Sequence, residues 1–528
     1  MEAHTEVRSE GVALTATGDR LAAGSLSILG VLFCIVTGSA PMAAMQFNVP
    51  VTVNGAGSAS PASFLVAVIV LTVWSVGYVE FAKRLTAAGG FYTFIAQAFG
   101  RIVGLGSAVT ITAMYIIFTP AVVGVTSYFA SGLLSAWFGL SVQAWVIALI
   151  VIGIVACLSY FHIELTSKIL GVFLITEVLG LFIFDFAVLF QGGRHGLVPG
   201  TLNPAFLFDN ANGAKAVFGK LAVGIAMFGA FWSWVGFEMA PNYAEESRNP
   251  KKLIGPATYF AVIGVGVIYT FTSWMFVAGW GEPNNPTSTN YQDWSVSQAV
   301  ANQYAGKLPH GYFSAFYPLT DEYSGHLMTN AFELLMVTGS FACVMAFFNT
   351  SCRYLYSMGR ERLIPGVFGR THATHHSPYV ASICTAVLVY AISIGFMFHD
   401  HSTLAMLTQL GTWPPLLGVF GLLLIMTLCS AATIKYFVVD LKPEERGGPT
   451  WPLRAVVAPI IGGAGCLVAA YLLLENRTFL GAGNNLFIKA IPWVVAGFFV
   501  LGVLLALYYR ATDRERYNAV GNYLHSEV

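Results

Sequence analysis

Twelve separate stretches of the chain are long and apolar enough to cross a membrane as helices, and this recurrence limits the fold more than any other feature. Crossing a hydrocarbon layer of about 30 Å takes a helix of about 20 mostly apolar residues. The stretches fall approximately at 24–49, 62–82, 102–130, 142–159, 168–190, 217–243, 255–279, 327–357, 378–398, 403–436, 454–474 and 488–510. Almost no charge lies within them, and the strands of a membrane β-barrel would be about half as long and alternating. An all-α membrane protein of about twelve transmembrane helices is therefore expected. Composition agrees, since 56% of the 528 residues are hydrophobic and 10% are charged, which is more apolar surface than a water-soluble core can bury.

The placement of charge gives the orientation. Formal net charge is zero, so no overall basic field draws nucleic acid, and none is expected as a partner. If the N-terminus is cytoplasmic, 20 of the 26 Lys and Arg residues fall on the inner side, and the outer side keeps Arg194, Lys215, Lys220, Lys307, Arg477 and Lys489. The positive-inside rule then puts both termini in the cytoplasm of a multi-pass plasma-membrane protein. The first twenty residues are polar and lack the basic-then-apolar pattern of a cleaved signal, so 1–22 is expected to be a short tail. The stretch 281–326, rich in Asn, Pro, Ser and Tyr, is expected as a long extracellular loop, a linker in preference to an ordered cap. Residues 454–510 hold the last two helices and 511–528 a C-terminal tail.

Two spans carry signs of interruption. The first contains Thr37, Gly38, Ser39, Ala40 and Pro41 in succession, where Gly is permissive, Ser competes for backbone bonds and Pro removes a donor. The sixth contains Gly236, the acid Glu238 and Pro241. A helix unwound in a low-dielectric interior frees amides at one broken end and carbonyls at the other, which suit a carboxylate and an ammonium. The bland alternative is close packing at the glycines and kinks at the prolines. Phe231, Trp232 and Trp234, around the sixth-span break, are candidates to stack on a ligand or close over it.

Four acids lie inside spans: Glu177 and Asp185 in the fifth, Glu238 in the sixth and Glu333 in the eighth. Ionisable groups at such depth are functional candidates by default. Glu177 has no cation near it in sequence, so its charged form is disfavoured, and it is the foremost proton-coupling candidate, followed by Glu238. The competing reading of each is a hydrogen bond to a neighbouring helix, which is preferred for Glu333. The seven cysteines sit singly in apolar segments, as small core residues. His372, His375 and His376 lack an adjacent carboxylate or cysteine, so no metal is expected. No Walker sequence, nucleophile elbow, HExxH or CxxC occurs, which argues against an ATP-driven pump and an enzyme, and no cofactor is implied.

Four stretches resemble the amino acid, polyamine and organocation (APC) superfamily of permeases: Gly38-Ser39-Ala40, AAGGFYTFIAQAFGRIVG at 87–104, FWSWVGFEMAPNYAEESRNPKKLIGPA at 231–257 and RYLYSMGRERLIPGVFGRTHATHHSPYVAS at 353–382. The resemblance implies leucine-transporter-like inverted five-helix repeats, about 24–190 and 217–436 within a core of 23–436, plus two extra helices, working by alternating access. It implies that amides around Gly38, Ser39 and Ala40 hold a substrate carboxylate and that carbonyls around Phe231, Trp232 and Val235 hold the amino group. Trp232 falls where some relatives place an aromatic gate, and Glu238 where some place a proton-responsive acid. Two departures stand out. Ala40 and Pro41 dilute the family's Gly-rich first-span motif, and Glu177 occupies a fifth-span region where many proton-coupled relatives have a lysine.

The expected function is secondary active transport of an amino acid, with protons as coupling ion. Thr37, Gly38, Ser39, Ala40, Phe231, Trp232, Trp234, Val235 and Gly236 are the expected substrate-binding residues. An amino acid or polyamine antiporter is the alternative within transport, and a transporter-shaped nutrient sensor the alternative outside it.

Overall fold

A computed structural model describes residues 28–85, 90–160, 163–243, 250–281, 290–375, 377–480 and 485–521. The expected tail 1–22 with Arg8 and Arg20, and also Arg248, His376 and residues 522–528, lie outside the described residues. Among the described residues there is helix and no strand. Ten helical stretches are long and apolar enough to span, with a shorter apolar helix at Ala144–Tyr160. The first of the ten, Ile35–Arg84, holds two of the expected spans, because the chain turns at 57–59. Gly57 makes that turn at φ 54°, and a Cβ there would lie 1.9 Å from the Asn212 carbonyl oxygen, so only glycine fits. The described chain therefore has a helix at each of the twelve expected spans.

Burial ranks the spans by distance from the centre. The sixth, Val223–Trp234 and its continuation, is wholly buried, and most of the third, Arg101–Phe138, is buried as well. The twelfth, Leu486–Thr512, turns Leu486, Trp493, Val500, Leu501 and Leu504 outward. An apolar exterior is what a lipid-facing helix requires, since lipid tails are as apolar as leucine.

Two faces close the bundle. One, here called the terminal face, brings together the helix Phe91–Phe99, the turn after His326–Arg360 and the C-terminal segment. There the buried Glu361 carboxylate accepts from the Tyr92 hydroxyl at 3.1 Å and from the Gly521 N–H at 3.2 Å, and the Tyr509 hydroxyl donates to the Leu363 carbonyl at 2.8 Å. The opposite face carries the stretch expected to be a linker. That stretch instead forms the helices Val296–Tyr304 and Phe316–Ser324. Ser295 and Gln298 build a capping box at the start of the first. Val300 and Phe316 are fully buried, the Phe316 ring lies 4.3 Å from that of Phe276, and the Trp280 indole donates to the Ala315 carbonyl at 3.1 Å. Val296, Ala299 and Val300 share one helical face, a short apolar signal hidden in a polar stretch.

Candidate functional site

The first and sixth spans are both broken, and they meet at their breaks. In the first, a helix Ile28–Ser39 ends at Ala40, which is left-handed at φ 39° and ψ 74°. Pro41 opens the next helical segment, a widened turn follows at Ala44–Asn48, and regular helix resumes at Val49–Ala56. A left-handed non-glycine residue costs about 1–2 kcal/mol, and proline at a helix start lacks only an N–H that would be unpaired there anyway. In the sixth, Val223–Trp234 ends at Val235, Gly236 takes φ 119°, and tight turns follow over Phe237–Tyr243. A Cβ on Gly236 would lie 3.0 Å from the Gly38 carbonyl carbon, so the two breaks cross backbone to backbone.

Beside this crossing lies a small cavity of about 30 Å³. The first span contributes Gly38, Ser39 and Ala40 from the break and Ala43, Ala44, Phe47 and Asn48 beyond it. The third span adds Val122 and Val125, the sixth Trp232 and Ser233, and the eighth Cys343 and Phe347. Of the nine expected binding residues, the structure thus brings Gly38, Ser39, Ala40 and Trp232 to the cavity. Thr37, Phe231 and Val235 are buried beside the breaks without lining it, and Gly236 serves the crossing. Trp234 points away, its indole donating to the Val262 carbonyl at 3.2 Å and its ring edge-on to Tyr269.

Backbone groups at the first break are largely occupied. The Ala40 N–H donates to the Val36 carbonyl at 3.0 Å. The Gly38 carbonyl accepts the Cys343 thiol at 3.1 Å, and the Ser39 carbonyl accepts the Tyr269 hydroxyl at 2.6 Å. The buried hydroxyl oxygens of Thr37 and Ser39 and the amide oxygen of Asn48 have no hydrogen-bond partner among the described residues. Trp232, Phe118 and Phe347 form a three-ring cluster, with the Trp232 centroid 4.8 Å from Phe118 and 5.7 Å from Phe347 and the two phenyl rings 5.7 Å apart. Phe118 and then Tyr115 lie one and two turns from Val122 toward the terminal face, so this aromatic cluster separates the cavity from that face.

The acids line no part of the cavity and instead hold its frame. Glu177 Oε2 accepts the Met42 N–H at 3.1 Å, one of the amides freed by the first-span break. Glu238 Oε2 accepts the Gly236 N–H at 3.0 Å, inside the sixth-span break, while its other oxygen accepts the Tyr115 hydroxyl. Each broken helix therefore has a carboxylate on a freed amide, the kind of placement that a helix start favours for negative charge. Asp185 accepts the Thr272 hydroxyl at 2.7 Å, and Glu333 accepts the Trp137 indole at 2.6 Å near the face opposite the termini. The His372 and His375 rings stack 4.8 Å apart beside Tyr160. Among the described residues, no group of three or more His, Cys, Asp or Glu is arranged to hold a metal.

Sequence reading missed Phe47, Asn48, Val122, Val125, Ser233, Cys343 and Phe347. The available signal was Asn48, eight residues beyond the break and, with Gln46, one of two amides in a mostly apolar segment.

Residues 24–508 match the family described as "Amino acid permease". Among curated proteins, the chain is 22% identical over 500 residues to the branched-chain amino acid permease BcaP of Bacillus subtilis (strain 168), covering 90% of this chain and 91% of that one. It is 23% identical over 469 residues to the methylthioribose transporter of the same organism, covering 86% and 88%. To the glutamate/serine transporter AimA, again of Bacillus subtilis (strain 168), it is 22% identical over 496 residues, covering 87% and 82%.

Proposed function

Because the chain belongs to the amino acid permease family, we propose that it is a secondary active transporter carrying an amino acid across the plasma membrane by proton-coupled symport, with its terminal face cytoplasmic. The observation that carries this reading is the pair of carboxylates on the freed amides of the two broken helices. An ionised carboxylate is a stronger acceptor than a protonated one. Protonation of Glu177 weakens its hold on Met42 and frees the first-span segment beyond Pro41 to shift against the fifth span. Protonation of Glu238 acts likewise on the Gly236 turn. A proton taken up at either acid is thus linked to the geometry of the cavity wall, which is what coupling requires.

Alternating access then needs a barrier that can open on each side. The cluster of Phe118, Trp232, Phe347 and Tyr115 is the barrier toward the cytoplasm, and its displacement exposes the cavity there. The names of the relatives, which concern branched-chain amino acids in one case and glutamate and serine in another, support an amino acid cargo. Among the described residues, the lining contains no Asp or Glu to balance a polyamine, which disfavours that alternative.

The test is uptake of labelled amino acids into proteoliposomes, with an imposed pH gradient or with that gradient collapsed by an ionophore. Accumulation that vanishes with the gradient supports symport. Uptake that requires preloaded vesicles and ignores the gradient replaces it with exchange.

A further inference from the structure

We infer that Asn48 is a specificity-determining residue, and that the cavity takes a small uncharged amino acid whose side chain donates a hydrogen bond, a hydroxyl or a carboxamide. This rests on the transport reading above and narrows its cargo.

Charge comes first. Among the described residues, the lining holds no Asp, Glu, Lys, Arg or His. A cationic or anionic side chain would therefore be desolvated against apolar walls and neutral dipoles without a counter-charge, at a penalty of several kcal/mol. Size comes next. The cavity holds only about 30 Å³, about one water's share of the liquid, and Trp232 and Phe347 fill one wall with their rings, so a cargo enters only as the walls part and a small one needs the least movement.

The polar atoms then separate the remaining neutral amino acids. The Ser233 hydroxyl donates to the Gly229 carbonyl at 2.8 Å, so its proton is committed along the sixth span. Its lone pair accepts the Asn48 amide N–H at 2.8 Å. This chain of donors fixes which way the Asn48 carboxamide faces, because the reverse orientation would set two acceptors against each other. Asn48 is 3% exposed, and its Oδ1 is buried without a partner among the described residues while the residue lines the cavity. Helical side chains lean toward the start of their helix, so the carboxamide reaches back over the turn nearest the first break. It lies beyond the break itself, where the amino and carboxyl groups are expected, and so addresses the side chain of the cargo. An acceptor held in this way favours a donor and is left unpaired by an alkyl group. An unpaired buried acceptor costs about 1–3 kcal/mol, or roughly 5- to 150-fold in selectivity.

The experiment compares L-serine, L-threonine, L-glutamine, L-alanine, L-valine, L-arginine and L-glutamate as competitors of uptake in proteoliposomes holding the full chain. L-serine, L-threonine or L-glutamine is expected to compete at least roughly fivefold better than L-alanine and L-valine, with L-arginine and L-glutamate weakest. Asn48→Leu should bring the ratio of the best donor to L-alanine close to one. Should that variant fail to fold, the melting-temperature shift that each amino acid produces in the detergent-solubilised wild type gives the same ranking without it. L-alanine matching the donors in the wild type, a charged amino acid ranking first, or a ratio unchanged in Asn48→Leu would each overturn the inference while leaving amino acid transport intact. Absence of uptake or binding for every amino acid would overturn the transport reading itself.

Discussion

Gly339 in the eighth span offers a test of whether the Glu177 carboxylate does more than fill space. A Cβ at this position would lie 2.6 Å from Glu177 Oε1, 2.7 Å from Cδ and 2.9 Å from Oε2. Ordinary contact begins at 3.4 Å, so Gly339→Ala displaces the carboxylate by about 0.8 Å, the difference between 3.4 and 2.6 Å. The Glu177 bond to the Met42 N–H, already 3.1 Å long, cannot survive such a shift unless the first span follows. Two opposed effects decide the outcome. Alanine inside a helix is better than glycine by roughly 0.5–1 kcal/mol, whereas a buried amide left unpaired costs about 1–3 kcal/mol. Gly339→Ala should thus be neutral or destabilising by up to about 2.5 kcal/mol, the larger loss less the smaller gain, and should slow uptake. Placed in a Glu177→Ala background, where the clash is gone, the same substitution should be neutral or stabilising. The assay is a double-mutant cycle on melting temperature in detergent and initial uptake rate in proteoliposomes, with a coupling of about 1–3 kcal/mol expected. Equal loss from Gly339→Ala in both backgrounds would show that the harm arises from helix packing, and the role assigned to Glu177 would fall.

The crossing of the breaks predicts an asymmetry: Gly236→Ala meets the Gly38 backbone at 3.0 Å and needs φ 119°, while Gly38→Ala meets mainly the flexible end of Met239 at 3.3 Å. Gly236→Ala should cost roughly 2–4 kcal/mol and Gly38→Ala less than half of that, read as melting temperatures, and equal losses would contradict the crossing. Trp232→Ala should raise the KM for the transported amino acid about tenfold, with Trp232→Phe recovering much of the loss, and an unchanged KM would reduce Trp232 to packing. At the terminal face, burial pushes the Glu361 carboxyl up to about 7, against the opposing pull of the Gly521 N–H and the Tyr92 hydroxyl. The docked state then binds more protons than the undocked one between about pH 4.5 and 7, so docking of the C-terminal segment should weaken as pH rises through that range. Hydrogen exchange of residues 513–521 from pH 5 to 8 measures this directly, and Glu361→Gln should flatten the profile.

What the sequence disclosed follows from what a membrane demands of it. Span number was legible because twenty apolar residues in a row have few other uses, and both breaks were legible because Gly, Ser and Pro are poor at continuing a helix. The partners across the bundle were hidden, since lipid and protein core are equally apolar and a span's rotation leaves almost no trace in hydropathy. Val122 and Phe347 face the cavity, Ile69 and Val172 face outward, and nothing in their residue types separates them. The same limit explains why Trp234 was grouped with Trp232, two residues away on a helix and therefore about 200° around it. The acids occupy intermediate ground. Their depth marked Glu177 and Glu238 as consequential, but their partners are backbone N–H groups, which have no signature in sequence. A rule does connect them: a helix interrupted in the membrane frees amides that no water can reach, and each needs an acceptor from elsewhere in the fold. An intramembrane carboxylate in a chain with a Gly/Pro-marked break is on that ground a candidate acceptor for the break before it is a candidate ligand for the cargo. The structure fits this ordering at both breaks, where the freed amides go to Glu177 and Glu238 and the cavity is left to neutral groups such as Ser39 and Asn48.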